Sequence, residues 1–567
     1  MRLLLPVQIA LVLTLAVACS PSPSAHRGGG AEQATARGPK VVTIAILREP
    51  NSFHRDLTQG TGATGGNTQV QSIPQNYLAV ETDRGVFEAQ LAAEQISTDR
   101  GTWRVNADGS MDTTWKLRPN VKWHGGTPFT SDDLLFSYNV YKDPEVPTAS
   151  GQALGLMASA TAPDPLTFVI HWSSPYVKAD EAQGLIPMPR HLLEDTYRND
   201  KPNFANNPRL GAEFIGLGPY RLVSWVGGVQ MDFTRFDDYY MGRPPLDRVV
   251  VRFLADANTM VANILSGAVD VLLPIGVDLE AALEVKRRWE GSGNYVTTDS
   301  SGRLRYVEIQ HRPDYEQPRN GFGNTTVRQA FYHATDRRTL AEIMAGSVEA
   351  MADSWYPPGH VLRPQLETLI PQFPYDPARA TQLLTQVGWI RGADGLLTNQ
   401  TTGERFEITL NGSQSTRTER EQGIIADGWK TTGAQVQTFI IPAALNNDRE
   451  YRSLLLGAQL IGVGYDAFNT DRLHSKFITS PANRWNGTNR GGYNNPRVDA
   501  VLDKIVVTIN PAERLELHKE LLREQLADVA AMPLYWDVDP VMAVKGVKNI
   551  GRNAGVNTWN MHQWDKE

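Results

Sequence analysis

Between Thr114 and Asp133 the hydrophobic and polar positions change rhythm three times. Trp115 and Leu117 alternate with polar residues, Arg118-Pro119-Asn120 turns the chain, and Val121 and Trp123 alternate again. Period-two patterning broken by turn residues predicts two short strands. Gly125-Gly126 supplies a second turn, where a residue without Cβ reaches positive φ at no steric cost. Thr130 then stands as a helix N-cap, with Asp133 three residues on as the acidic half of a capping box. Leu134, Tyr138 and Tyr141 continue at helical spacing, so the stretch reads strand, turn, strand, turn, capped helix.

The same two rhythms organise the rest of the chain. Val41–Ile46 is a continuous apolar run, the pattern of a buried strand. Tyr220 and Leu222 alternate out of the turn Gly216-Leu217-Gly218-Pro219. Val249–Phe253 is another strand, followed by a helix through Met260 and Ile264 that Gly267 ends, and Asp270-Val271-Leu272 opens the next strand. Helical spacing returns at Val327–Phe331. Asp376 caps a helix with Pro377 in its first position and Gly388 at its left-handed end. Asn510-Pro511-Ala512-Glu513 opens a helix whose apolar face is Leu517, Leu521 and Leu522. Strands and helices interleave throughout, which makes the class α/β. No repeat at solenoid or propeller spacing is present.

Several of these stretches resemble one family. Thr114–Asp133 is similar to LR-x-x-VK-[FW]-H-[DG]-G-x-PF-[TS]-x-x-D, the hallmark of the family 5 extracellular solute-binding proteins, the dipeptide- and oligopeptide-binding receptors of bacterial ABC importers. It departs from the usual residues at Trp123 and Gly125. Glu49-Pro50 with Phe53-His54 resembles the loop EP-x-x-[LF]-[DH], and Leu185–Leu193 resembles P-x-PKH. Gly216–Leu222 resembles GTGPY-x-[LF], with Leu217 for Thr; Val327–Arg337 resembles VRQALSYAIDR; Tyr375–Gly388 resembles YDP-x-KA-x-x-LL-x-x-AG; and Gly492–Asp499 resembles GY-x-NP-x-[VF]-D. The motifs keep the family's order from Val41 nearly to the C-terminus.

The resemblance implies a two-lobed, periplasmic-binding-protein-like α/β fold (class II, cluster C) with an extra subdomain in the first lobe. The implied boundaries are 41–76, 213–303 and 540–567 for the core of lobe I, 77–212 for the extra subdomain, and 304–539 for lobe II. A chain of 567 residues is too long for one ordinary core, which agrees.

Composition adds little: 41% hydrophobic and 21% charged residues are ordinary for a globular protein, and a net charge of −7 argues against nucleic acid as a partner. The N-terminus adds more. Met1-Arg2 and the apolar run LLLPVQIALVLTLAVA read as a secretion signal, and Leu15–Cys19 is similar to a bacterial lipobox, although Ala16 stands where Leu is preferred. Cys19 is the single cysteine, so no internal disulfide can form; lipid attachment there gives the thiol a role. An uncleaved single-span anchor is the alternative for residues 1–19. Residues 20–40, rich in Ser, Pro, Gly and Ala, are expected to be a flexible tether. Membrane contact is then only through the N-terminal lipid, on the extracytoplasmic side.

The family's peptide receptors meet the ligand's α-ammonium with an Asp in a GW-x-AD-Y-x-x-P stretch. The matching segment is Gly462–Asn469, with Asp466 at the Asp position and Tyr465 and Gly464 before it. A partly desolvated carboxylate would fix a peptide's end; capping of a helix or turn ahead of Leu473 is the other role open to Asp466. Trp485, in the loop 483–489, is either ligand-facing or core. Asn51, Ser52, Phe53 and His54 are candidates for the cleft rim. The resemblance implies a short peptide ligand, ABC permease subunits as partners, a monomer and no cofactor. Nickel chelate, haem, oligosaccharide or opine binding on the same fold is the alternative.

An enzyme would need a site, and G-x-S-x-G, H-E-x-x-H and a phosphate loop are all missing from the sequence. The eleven histidines lack metal-ligand spacing. A hydrolase using distant carboxylates and a surface adhesin remain as rival classes.

Overall fold

The computed structural model describes residues 38–567 except 48, 51, 55–56, 58–65, 83–85, 147–151, 182–184, 275, 299, 320, 447, 465–471 and 552–556. The expected signal segment, Cys19 and most of the expected tether lie outside the described residues, and the fold below is that of Lys40–Glu567.

Two sheets carry the architecture. The first has seven strands in the order Tyr295–Thr297, Val541–Ala543, Val271–Leu272, Val41–Ile46, Arg248–Phe253, Gln230–Arg235, Tyr220–Val226. Val41–Ile46 runs parallel to both its neighbours. Its continuous apolar pattern follows from cover on both faces: Val42, Ile44 and Ile46 pack with Phe53, Phe233 and Trp564, while Ala45 on the other side meets Met260, Ile264 and Val285. The chain's end closes on this strand. Lys566 Nζ donates to Val41 O and to Asp270 Oδ2, both at 2.8 Å, and Asp270 Oδ2 also accepts the Thr43 N–H at 2.8 Å.

The second sheet has five strands in the order Gln435–Ile441, Glu407–Ser413, Ala458–Gly464, Ser300–Ile309, Ala531–Val538. The helices Thr325–His333, Arg337–Ala345, Pro377–Gln386 and Thr416–Lys430 cover one face, over Val307, Ile309, Ile408, Leu410 and Leu460. Leu304, Tyr306, Ile461, Val463 and Trp536 form a smaller cluster on the other. The chain passes between the sheets twice, from Thr297 to Ser300 and from Val538 to Val541. The crossings lie side by side: Thr297 pairs with Val541 in the first sheet and Ser300 with Val538 in the second.

A third body, an antiparallel sheet of Trp103–Val105, Met111–Lys116, Thr167–Trp172 and Met157–Asp164, packs on the helix Ser131–Lys142 around Trp115 and Trp123. Here the stretch Thr114–Asp133 behaves largely as its pattern predicts. Gly126 has φ +89° in the turn, and the N-cap Thr130 donates its N–H to Asp133 Oδ2 at 3.0 Å. The expected second strand is the exception. Around Val121–Trp123 there is a single bridge, Lys122 to Pro128, because the chain folds straight back on itself through the glycine turn. Asp133 does more than cap: Oδ2 also accepts Trp123 Nε1 at 3.2 Å, and Oδ1 accepts the Arg190 N–H at 3.0 Å.

This body is fastened to the first sheet by the turn Gly216–Pro219. Buried His124 brackets it, its Nδ1 accepting the Gly216 N–H at 3.2 Å and its Nε2–H donating to Gly218 O at 2.9 Å. Burial lowers the pKa of His124 to about 4, so the ring stays neutral and can serve as acceptor and donor at once. The two glycines are there for close approach: a Cβ on Gly216 would stand 1.9 Å from Pro74 O, and one on Gly218 2.4 Å from the Pro74 carbonyl carbon. Gly216→Ala is therefore expected to cost about 3 kcal/mol or more, read as a lowered urea midpoint. A midpoint equal to wild type would remove the close-approach explanation.

Candidate functional site

The residues singled out from the sequence fall in three places. Gly464 ends the strand Ala458–Gly464, opposite Arg303, and a Cβ there would meet nothing within 4 Å. Tyr465, Asp466 and Asn51 lie outside the described residues. The chain is described again at Arg472 and at buried Leu473, which packs with Tyr493 and Val498.

Trp485 is half-buried in a loop with an unusual backbone. Arg484 (φ 53°) and Trp485 (φ 57°) are successive left-handed non-glycine residues, at about 1–2 kcal/mol apiece. Hydrogen bonds hold them there: Trp485 N–H donates to Ser480 O at 2.8 Å, Ser480 N–H to Asn483 Oδ1 at 2.9 Å, and Asn483 Nδ2 to Ile478 O at 2.8 Å. Arg312 ties the same loop to the second sheet, donating to Thr479 O at 2.8 Å and to Arg490 O. A loop so braced presents Trp485 in one fixed position.

Ser52, Phe53 and His54 are inside, not on a rim. Ser52 Oγ donates to Leu210 O at 2.8 Å and accepts the His54 N–H at 2.9 Å. The Phe53 ring sits 4.7 Å from Phe214 and 5.5 Å from Trp225, centroid to centroid. His54 is fully buried beside Phe214, and neither ring nitrogen has a hydrogen-bond partner. Burial pushes its pKa down to about 3. It is therefore neutral at pH 7 and carries no charge for a ligand carboxylate in this conformation.

A recess on the second sheet is lined among others by Tyr306, Glu308, Trp355, Arg472 and Tyr493. Glu308 is 7% exposed, and its Oε2 has no hydrogen-bond partner. Burial raises its carboxyl against the pull of Arg472, Arg490 and Arg452. The sequence offers a signal for this that patterning passes over: Arg303, Arg305 and Glu308 interrupt an otherwise apolar strand, and charges on a buried strand need partners.

The strongest such pairing lies beside the crossings. Arg305 grips Glu421 with both arms, Nε to Oε1 at 2.8 Å and Nη2 to Oε2, and Tyr535 Oη also donates to Oε1. Glu421 has no solvent exposure. Four residues earlier on the same helix Arg417 pairs with Asp537, at the end of the second-sheet strand. Asp539, within the crossing, has its pKa raised to about 6 by burial and by Asp537, against Arg303 and Arg417. Arg420 reaches Glu280, on the helix Leu279–Arg288 beside the first sheet, at 2.8 Å. One helix thus touches its own sheet, the crossing and the other body. Among the described residues no group of three or more His, Cys, Asp or Glu could hold a metal ion, and no helix is long and apolar enough to cross a membrane.

The family profile of the bacterial extracellular solute-binding proteins, family 5 (middle), matches residues 90–481. The oligopeptide-binding protein AppA of Bacillus subtilis is 22% identical over 569 residues, covering 98% of this chain and 97% of its own. Heme-binding protein A of Haemophilus influenzae is 23% identical over 554 residues, covering 92% and 91%. Among solved structures, B. subtilis AppA in complex with a nonapeptide matches with a TM-score of 0.69 at 19% identity, over 94% of this chain and 100% of that one. NikZ from Campylobacter jejuni in complex with Ni(L-His) matches with a TM-score of 0.71 at 21% identity, again over 94% and 100%. The structural matches give the fold, two-lobed and of mixed α/β content.

The buried pair makes a direct prediction. Glu421→Gln leaves the Arg305 guanidinium desolvated without its counter-charge and is expected to destabilise by about 3–5 kcal/mol. Tyr535→Phe removes one hydrogen bond to the carboxylate and is expected to cost about 1.5–3 kcal/mol. Denaturant titration of the two variants checks the order; equal losses would mean that the pair itself contributes little.

Proposed function

Because the chain belongs to the bacterial extracellular solute-binding proteins, family 5, we propose that it captures a short peptide between its two lobes and delivers it to the permease of an ABC importer. The family is one of extracytoplasmic binding proteins rather than enzymes. The observation that carries the peptide reading is the end-to-end match to a relative named for oligopeptide binding.

In this reading a ligand shifts an open–closed equilibrium, because contacts from both lobes exist together only when they close. Gly464, with open space where a Cβ would be, leaves room for a ligand backbone beside Tyr465. Asp466 meets the α-ammonium, and Trp485 packs on the ligand. Buried Ser52, Phe53 and His54 act from behind, holding the wall of the opposite lobe in shape, and Asn51 is the rim candidate next to them in the sequence. The chain works as a monomer, held at the membrane by lipid on Cys19.

A non-peptide solute is the second reading, favoured by relatives named for haem and for a nickel–histidine complex.

Native mass spectrometry on the full chain carrying Cys19→Ser, purified from rich medium, tests the choice. A ladder of adducts with the masses of short peptides is expected. One non-peptide mass would overturn the peptide reading and leave the transport role. Asp466→Ala is expected to weaken the recovered peptides by about 2–5 kcal/mol, measured by calorimetry; unchanged affinity would remove Asp466 as the anchor.

A further inference from the structure

Away from the crossings, the third body touches the second. Val177 N–H donates to Val506 O at 3.0 Å, a backbone bond between residues far apart in the chain. Val506 lies near the end of the helix Pro496–Val507, and the corner leads on to the helix Pro511–Asp528. Ile509, in that corner, packs against the apolar cluster of the third body. Tyr176, Val177 and Ala179 are buried on the facing side.

Next to this apolar contact stands Asp180, in the turn Ala179–Glu181. Gln95 Nε2 donates to its backbone carbonyl at 2.6 Å, which fixes the turn. Arg514 faces it from the helix Pro511–Asp528, held by donating to Thr508 O and Ile509 O, both at 3.0 Å. Among the described residues, other charges near Asp180 include Lys178 and Glu181, 4.0 Å apart, and Glu81, on the strand Ala79–Glu81 packed against the turn.

We propose that the turn Val177–Glu181 and the corner Val506–Arg514 form a latch between the lobes, engaged when they close, with Asp180 as its titratable element. The third body is bolted to the first sheet through Gly216–Pro219, while the corner moves with the second sheet. The only covalent routes between them run through the two crossings, so a lobe rotation about the crossings separates these surfaces. The latch rests on the reading of a solute held between closing lobes, and not on which solute it is.

The direction follows from burial. In the closed contact, desolvation raises the Asp180 carboxyl to about 6 and outweighs the attraction of Arg514 and Lys178. Once the surfaces part, the corner's share of that burial is lost and the carboxyl falls toward the ordinary value near 3.9. The closed state therefore binds a proton more tightly, and closure strengthens as pH falls through about 6. Above that, a charged Asp180 opposes closure. A carboxyl moving between those two values limits the effect to about a hundredfold in the closure constant.

The test needs no ligand. Cys19 is the single cysteine, so the full chain carrying Cys19→Ser accepts spin labels at Val105→Cys, on the third body, and Val361→Cys, on the second; both sites are exposed. Pulsed electron–electron distance measurements at pH 7.5 and 5.0 should show the closed population rising several-fold at the lower pH. With Asp180→Asn that population should already be raised at pH 7.5 and should no longer change. Ile509→Asp should lower it at both pH values, with circular dichroism and thermal midpoint reporting whether the chain is still folded. A distance distribution independent of pH, or the same response in Asp180→Asn, would overturn the latch. Neither result depends on whether peptides are recovered in the mass spectra, so the two readings fail separately.

Discussion

Any rotation of one sheet against the other is carried by two short crossings, and those crossings are neighbours. Thr297 pairs with Val541 on one side and Ser300 with Val538 on the other, so both connections bend at the same place. Two adjacent flexion points define an axis, whereas two distant ones would lock the bodies together. Beside that axis the protein places a cluster of desolvated charges: Arg305 with Glu421, Arg417 with Asp537, and Asp539 among them. A bidentate guanidinium–carboxylate pair fixes orientation as well as distance. The helix Thr416–Lys430 therefore keeps its place on the second sheet while its exposed Arg420 reaches across to Glu280.

How much of this was written in the sequence differs between backbone and site. Caps and turns were legible because each rests on a few adjacent residues: Asp376 accepts the Arg379 N–H and Asn510 the Ala512 N–H, and Gly388 has φ +82°. The buried strand Val41–Ile46 was legible because cover on two faces leaves an unbroken apolar run. The second strand around Val121–Trp123 was not, since alternation alone does not say whether a partner strand is within reach. The glycines of Gly216-Leu217-Gly218 showed a turn but not its reason, which is the backbone of Pro74, some 140 residues earlier.

The site was less legible for a related reason. Polarity predicts exposure only where no partner waits in the fold. His54 looked like a loop histidine and is enclosed beside Phe214. Arg305 and Glu308 are charged, and the fold turns both inward along their strand. The contacts that decide these cases join residues separated by more than a hundred positions, as with Arg305 and Glu421, and no local pattern records them.

The first sheet has a consequence for how the chain is made. Its strand Val541–Ala543 sits between Val271–Leu272 and Tyr295–Thr297, and Lys566 grips the carbonyl of Val41. The first strand among the described residues is thus completed by residues some 500 positions later. Until then Tyr295–Thr297 has no neighbour and the hydrogen-bonding edge of Val271–Leu272 is bare. Such long-range closure slows folding, and here it makes the first sheet wait on residues some 500 positions after its first described strand. A sheet completed in that order has its central strands in place well before the strand that joins Val271–Leu272 to Tyr295–Thr297.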